Sequence, residues 1–169
     1  MMMAALVLLL FMPYEPVVAV AQAPPPKTDC SAPEFRQFDF WLGAWRVTSR
    51  GKPAGTSRIE SAMKGCAIVE HWTSAGGGQG TSLNFYDRRT TTWSQAWIDE
   101  SGNALHLKGG LVAGRMILQS EPQDTPKGRT VQRITWSREG DAAVRQLWET
   151  SSDGGRTWTV SFDGLYVHP

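Results

Sequence analysis

From Ala44 onward the chain is a succession of short runs in which apolar and polar residues alternate, each ended by Gly, Pro, Asp or Asn. The period is two, Thr and the aromatics are frequent, and no helical spacing persists, so the runs predict β-strands. They fall at about 44–50, 55–63, 66–74, 80–87, 92–99, 103–109, 111–120, 129–138, 143–151 and 157–167. The connections carry turn chemistry: Gly51-Lys52-Pro53, Asp87-Arg88-Arg89, Ser101-Gly102-Asn103, Gly109-Gly110, Glu139-Gly140-Asp141 and Asp153-Gly154-Gly155. Connections this short allow antiparallel neighbours but not parallel crossovers. Strands paired in sequence leave two bare edges unless the first meets the last. The pattern therefore predicts an all-β, roughly ten-stranded antiparallel up-and-down barrel, with a two-sheet sandwich as the competing arrangement. The longer stretch Glu121 to Gly128, with Pro122 and Pro126, is expected to be a mobile rim segment.

Ahead of the strands lies Phe38-Asp39-Phe40-Trp41-Leu42-Gly43-Ala44-Trp45, dense in aromatics around one acid. It predicts a short helical turn from about Pro33 to Trp41, ended at Gly43, a residue that tolerates positive φ. Such a helix would plug one mouth of a barrel. Asp39 is expected to cap backbone amides or to pair with Arg36.

Residues 1–23 hold an apolar run from Ala4 to Met12 and then Ala19-Val20-Ala21-Gln22-Ala23, which offers cleavage after Ala21 or Ala23. This pattern predicts a secretory signal peptide, although Met1-Met2-Met3 carries no Lys or Arg. No later apolar stretch is long enough to span a bilayer, so a periplasmic or secreted protein without a membrane anchor is expected. Residues 24–32, beginning Pro24-Pro25-Pro26, form a stiff spacer, and 33–169 form one domain of roughly 140 residues, long enough for a real core. A net charge of +1 without clustered Lys and Arg argues against nucleic acid as a partner. Assembly with a second copy is compatible with the sequence. The two cysteines, Cys30 and Cys66, are either a disulfide tying the plug to the wall or two separate thiols, and an oxidising compartment favours the bond.

The segments Phe38-Asp39-Phe40-Trp41-Leu42-Gly43-x-Trp45, Gly51-Lys52-Pro53-Ala54-Gly55, Gly65-Cys66 with Glu70-x-Trp72, Ser82-Leu83-Asn84-Phe85-Tyr86-Asp87 and Ser151-x-Asp153-Gly154-Gly155-x-Thr157-Trp158 have a further meaning. From about Cys30 to Val167 the chain resembles a family of secreted bacterial proteins of unknown function. That family is taken to be lipocalin-like, a relative of the calycin barrels, and Leu42-Gly43-x-Trp45 is similar to the Gly-x-Trp step of lipocalins. The resemblance implies the fold and brings no activity with it.

Four strands share a polar-x-aromatic pair: Glu70-x-Trp72, Asn84-x-Tyr86, Gln95-x-Trp97 and Gln146-x-Trp148. Period two puts both members of each pair on one face. If that face lines the barrel, the lumen has aromatic walls, three amides and one carboxylate, which suits a small, partly apolar ligand. If instead Leu83, Phe85, Ala96, Ile98 and Leu147 point inward, the core is filled and the aromatics form an exposed patch for a partner protein. Glu70 is the weak catalytic candidate, since a carboxylate beside Trp72 in a barrel would have a raised pKa; the plainer reading is pairing with arginine or with amides such as Gln95 and Asn84.

His71 and His106 alternate out of phase with the pocket face and His168 lies at the chain end, so neither zinc nor haem is indicated, and no cofactor is expected. Ser151-x-Asp153-x-Gly155-x-Thr157-Trp158 fits the Asp-box of propellers, but one copy predicts only an Asx-type turn with Trp158 packed beneath it. Gly76-Gly77-Gly78-Gln79-Gly80 lacks a phosphate-loop ending and predicts a flexible loop at the barrel mouth. Three functions follow: an exported ligand-binding barrel, which leads; a cofactor-free isomerase, cyclase or hydrolase using Glu70; and a filled barrel acting as an interaction scaffold.

Overall fold

The computed structural model describes residues 29–125 and 128–169. The expected leader 1–23 and residues 24–28 of the spacer lie outside the described residues. The strands are β1 Gly43–Ser49, β2 Lys52–Ala62, β3 Ala67–Ser74, β4 Gln79–Asp87, β5 Thr92–Asp99, β6 Ala104–Val112, β7 Arg115–Gln119, β8 Gln123–Thr125, β9 Gly128–Glu139, β10 Ala143–Ser151 and β11 Thr159–Val167.

Every pairing is antiparallel, and neighbours in sequence pair from β1 to β7. β7 then pairs with β9, β9 with β10, β10 with β11, and β11 returns to β1 through Arg46↔Val167 to Ser49↔Gly164. The sheet thus closes on itself as a barrel of ten strands, with β8 as an extra strand on β9. Closure removes the two edges that would otherwise present unpaired backbone. The sandwich alternative is excluded by the β1–β11 pairing.

Several turns fall elsewhere than the glycines suggest. The first hairpin turns at Arg50 and Gly51, both at positive φ, and Ser49 pairs with Lys52. Pro53 then lies inside β2, tolerated because the ladder is irregular there: Thr48 pairs with Pro53 and Val47 with Gly55, leaving Ala54 extra. The β6–β7 turn is at Ala113-Gly114, not Gly109-Gly110. Gly109 sits mid-strand because a Cβ there would collide with the Ile117 carbonyl of the adjacent strand. Part of the segment 121–128, expected to be a mobile rim segment, is β8, whose Gln123 pairs with Thr130. β11 starts at Thr159 because the Asp153 turn occupies the residues before it: the Asp153 Oδ1 accepts from the Arg156 and Thr157 amides, both at 2.9 Å, and Arg133 lies 3.9 Å over the Trp158 ring.

The plug is two 3₁₀ turns, Pro33–Arg36 and Asp39–Trp41, in place of one helix. Phe38 and Trp41 are fully buried and stack with centroids 5.0 Å apart. Phe38 also meets Trp93 and Trp136 edge-on, and the Trp45 indole donates to the Trp41 carbonyl at 2.9 Å, so the end of the plug is bonded to β1. Gly43, at φ 137, makes the bend between them. Burial of each ring stabilises the fold by roughly 1.5–3 kcal/mol.

Outside the lumen the plug is held by the Cys30–Cys66 disulfide and by Arg36, which donates to the Gly65 carbonyl and pairs with Asp39 at 3.3 Å. Replacing both cysteines by serine is expected to lower the unfolding free energy by about 4 kcal/mol, given a sequence separation of 36, on the loop-entropy account. Urea unfolding of the two forms, each with its own fitted slope, measures this. A loss below about 1 kcal/mol would mean that the aromatic stack holds the plug without help from the bond.

Candidate ligand cavity

Strand alternation sets which side chains enter the lumen, and the register stacks them in tiers. The lowest tier is the sealed end: Phe38, Trp41, Trp45, Trp93, Trp136 and Tyr166, all at most 3% exposed. Tyr86, expected to line a pocket, belongs here instead, with its ring edge-on to Phe35 at 5.3 Å and 6.2 Å from Trp93.

The middle tier is polar. Glu70 is 3% exposed and accepts hydrogen bonds from the Ser57 hydroxyl on Oε1 and the Ser82 hydroxyl on Oε2, each at 3.0 Å. Behind Ser82, the Asn84 amide donates to the Ser82 Oγ at 3.0 Å, and the Gln95 amide donates to the Asn84 Oδ1 at 2.8 Å. Four side chains from β2, β4 and β5 thus aim their donors, directly or in series, at one carboxylate. Expected pairing of Glu70 with arginine does not occur, and the amides reach it only through Ser82. Burial outweighs the two serine hydrogen bonds and raises the Glu70 pKa to about 7. Nearby, the Tyr166 hydroxyl donates to the Gln146 Oε1 at 2.5 Å, and burial together with the Glu70 charge puts its pKa well above the usual phenol value.

The upper tier is aromatic again: Trp72, Trp97, Trp148 and Phe162, with Leu105 and Ile134. Together with Glu70, Gln95, Gln146, Ser161 and Tyr166 these enclose a cavity of about 250 Å³. The four rings are half-buried, whereas those of the sealed end are not exposed, so the cavity reaches solvent on the side away from the plug. Trp72 meets Phe162 edge-on with centroids 6.3 Å apart. The Trp148 indole donates to the Gln132 Oε1 at 2.6 Å, which fixes that ring. Gly80 lies diagonal to Trp97 in the β4–β5 register, and a Cβ there would collide with the Trp97 ring. The missing side chain lets the indole lie against the wall and keeps the hollow open.

Of the eight side chains proposed from the sequence, Glu70, Trp72, Gln95, Trp97, Gln146 and Trp148 line this cavity, while Asn84 is fully buried behind it. The competing face points outward, with Leu83 and Ile98 at 36% and 50% exposure. Sequence reasoning missed Ser57, Ser82, Leu105, Ile134, Ser161, Phe162 and Tyr166. A signal existed for some: Ser82 stands two residues before Asn84 on the same face, and Phe162-x-Gly164-x-Tyr166 continues the alternation on β11.

His71 lies outside, 3.8 Å from Glu60, and His106 is exposed. His168 stacks on Trp45 at 4.0 Å. Among the described residues no group of three or more His, Cys, Asp or Glu side chains is gathered for a metal ion. The glycine-rich connection from β3 to β4 begins just beyond Trp72, at the open end, and is closed by the Gly78 amide donating to the Ser74 hydroxyl at 2.9 Å. No helix among the described residues is long and apolar enough to cross a membrane.

The folded state holds the Glu70 proton more tightly than the unfolded chain does, so this group costs stability as pH rises from about 4.5 to about 7 and nothing below that window. Relative to wild type, Glu70→Gln is expected to gain roughly 3 kcal/mol between pH 4 and pH 8. Paired urea titrations across that range check it; parallel curves would mean that the carboxylate is not desolvated in solution.

Comparison with models of known protein families finds no match to this chain, and comparison with curated proteins finds none either.

Proposed function

We propose that this protein is an exported binding barrel that holds a small, partly apolar molecule between Trp72, Trp97, Trp148 and Phe162. The observation that carries the reading is the division of the lumen: one end is packed solid with aromatics, while the other is left hollow over a polar floor. A filled core would be more stable, so an unfilled, aromatic-walled space with convergent polar groups is the signature of a binding site. Its volume, about 250 Å³, is below the roughly 300–1,000 Å³ of sites for drug-sized ligands, so the guest is small or only partly enclosed. Export rests on the leader pattern, on the resemblance to a secreted family and on the disulfide, a bond of oxidising compartments. The inward Trp rings argue against the scaffold reading, which needs them on the surface.

One observation favours a second reading. A carboxyl group with a pKa near 7, at the wall of a cavity, is matched to proton transfer at neutral pH, so a cofactor-free isomerase, cyclase or hydrolase would use Glu70 as its acid or base. Turnover that Glu70→Gln abolishes while binding persists would establish it.

Native mass spectrometry of protein recovered from the periplasm or medium is expected to show a retained small molecule, and adding that molecule to stripped protein is expected to shift Trp emission. Gly80→Ala, which drives the Trp97 ring off the wall, is expected to weaken binding by about tenfold or more, as misfit of this size costs on the order of 1–3 kcal/mol. An empty protein whose Trp emission ignores a broad ligand panel would refute the binding reading.

A further inference from the structure

The chemistry of the guest follows from what the cavity contains, on the premise that the cavity is a binding site. Among the described residues eleven side chains line it, of which the ionisable ones are Glu70 and Tyr166 and none is Arg, Lys or His. The groups around Glu70 are Ser57 and Ile59 on β2, Ser82 on β4 and Tyr166 on β11, none of them cationic. The hydrogen bonds run one way, from Gln95 through Asn84 and Ser82 to the carboxylate, so each donor supports negative charge on Glu70. Two more exposed acids elsewhere in the molecule have counterions: Glu149 meets Arg133 at 2.8 Å and Asp163 meets Arg145 at 2.7 Å. Glu70 has hydroxyl partners and an open space.

That space is walled by indole rings. Aromatic faces attract cations through the ring quadrupole, Trp most strongly, and aromatic boxes of this kind suit alkylammonium groups. An anion there would face the Glu70 carboxylate. We propose that the cavity takes a small organic ammonium ion, its head group against the Glu70 carboxylate and within the Trp72, Trp97 and Trp148 rings. The ion supplies the charge that the protein withholds. Binding then lowers the cost of ionising Glu70, so guest and carboxylate charge are coupled.

Matched pairs of probes test this: choline against its uncharged carbon analogue 3,3-dimethylbutan-1-ol, and benzylammonium against benzyl alcohol, titrated by Trp emission and calorimetry at pH 8. The ammonium member of a pair is expected to bind about tenfold or more tightly than its neutral partner. Choline carries a fixed charge and the Tyr166 pKa lies well above the usual phenol value, so the choline affinity is expected to hold steady above about pH 7 and to fall by up to about tenfold per unit below it as Glu70 takes up its proton. Glu70→Gln is expected to abolish the pH dependence and to cut the ammonium preference to what the indole rings supply by themselves; the wild-type pH series stands if that variant does not fold. Neutral members that bind as tightly as the ammonium ones would overturn the ammonium inference and leave the binding reading intact. If no member of either pair perturbs Trp emission or produces heat, the ammonium inference falls. The binding reading falls with it only if the protein also proves empty by native mass spectrometry.

Discussion

A sheet of ten strands closed on itself encloses more lumen than an eight-stranded barrel, whose interior is just wide enough for its own side chains to fill, and here the stack of Phe38 on Trp41 occupies the surplus at one end. Everything above depends on that filling. The plug supplies a dry base onto which Trp93, Trp136 and Tyr166 pack, and the Trp45 indole hydrogen bond to the Trp41 carbonyl joins it to the first strand. The disulfide and Arg36 fasten its outer turn beside Cys66, at the start of β3, the strand that carries Glu70 and Trp72. One local segment therefore sets how deep the remaining hollow can be.

With one end sealed, the polar tier is cut off from water on its lower side, and the raised Glu70 pKa is the electrostatic consequence. A lone buried carboxylate is among the more expensive groups a core can hold, and two serine hydroxyls offset only part of that cost. The fold tolerates it because a neutral, protonated form is accessible near pH 7 and because the neighbouring cavity leaves room for a compensating charge. Apolar residues at 57, 70 and 82 would give a more ordinary core. The polar tier is thus a feature that stability alone does not explain.

Much of this was legible along the chain. Alternation with period two marked each barrel strand, and the short turns forced antiparallel order; the polar-x-aromatic pairs on β3, β5 and β10 picked out six residues that now line one cavity. Turn placement was less legible, because glycine has two uses. Gly109 and Gly80 lie within strands, where a neighbouring carbonyl or indole needs the space, while Arg50 and Ala113 take the positive φ beside Gly51 and Gly114. Tyr86 shows the same limit for the site: alternation gives its face, but its height in the barrel is set by the β4–β5 register, which pairs it with Trp93 at the plugged end.

The sequence by itself determined the class of fold, the helical entry with its aromatic plug, and which residues share a face, because these depend on local periodicity and on residues adjacent in the chain. Only the tertiary structure decided which face turned inward, that Cys30 and Cys66 are joined, and that two serines from β2 and β4 converge on Glu70. Those outcomes depend on strand order, register and closure, through which residues far apart in the chain come within hydrogen-bonding distance, and no local pattern encodes that distance.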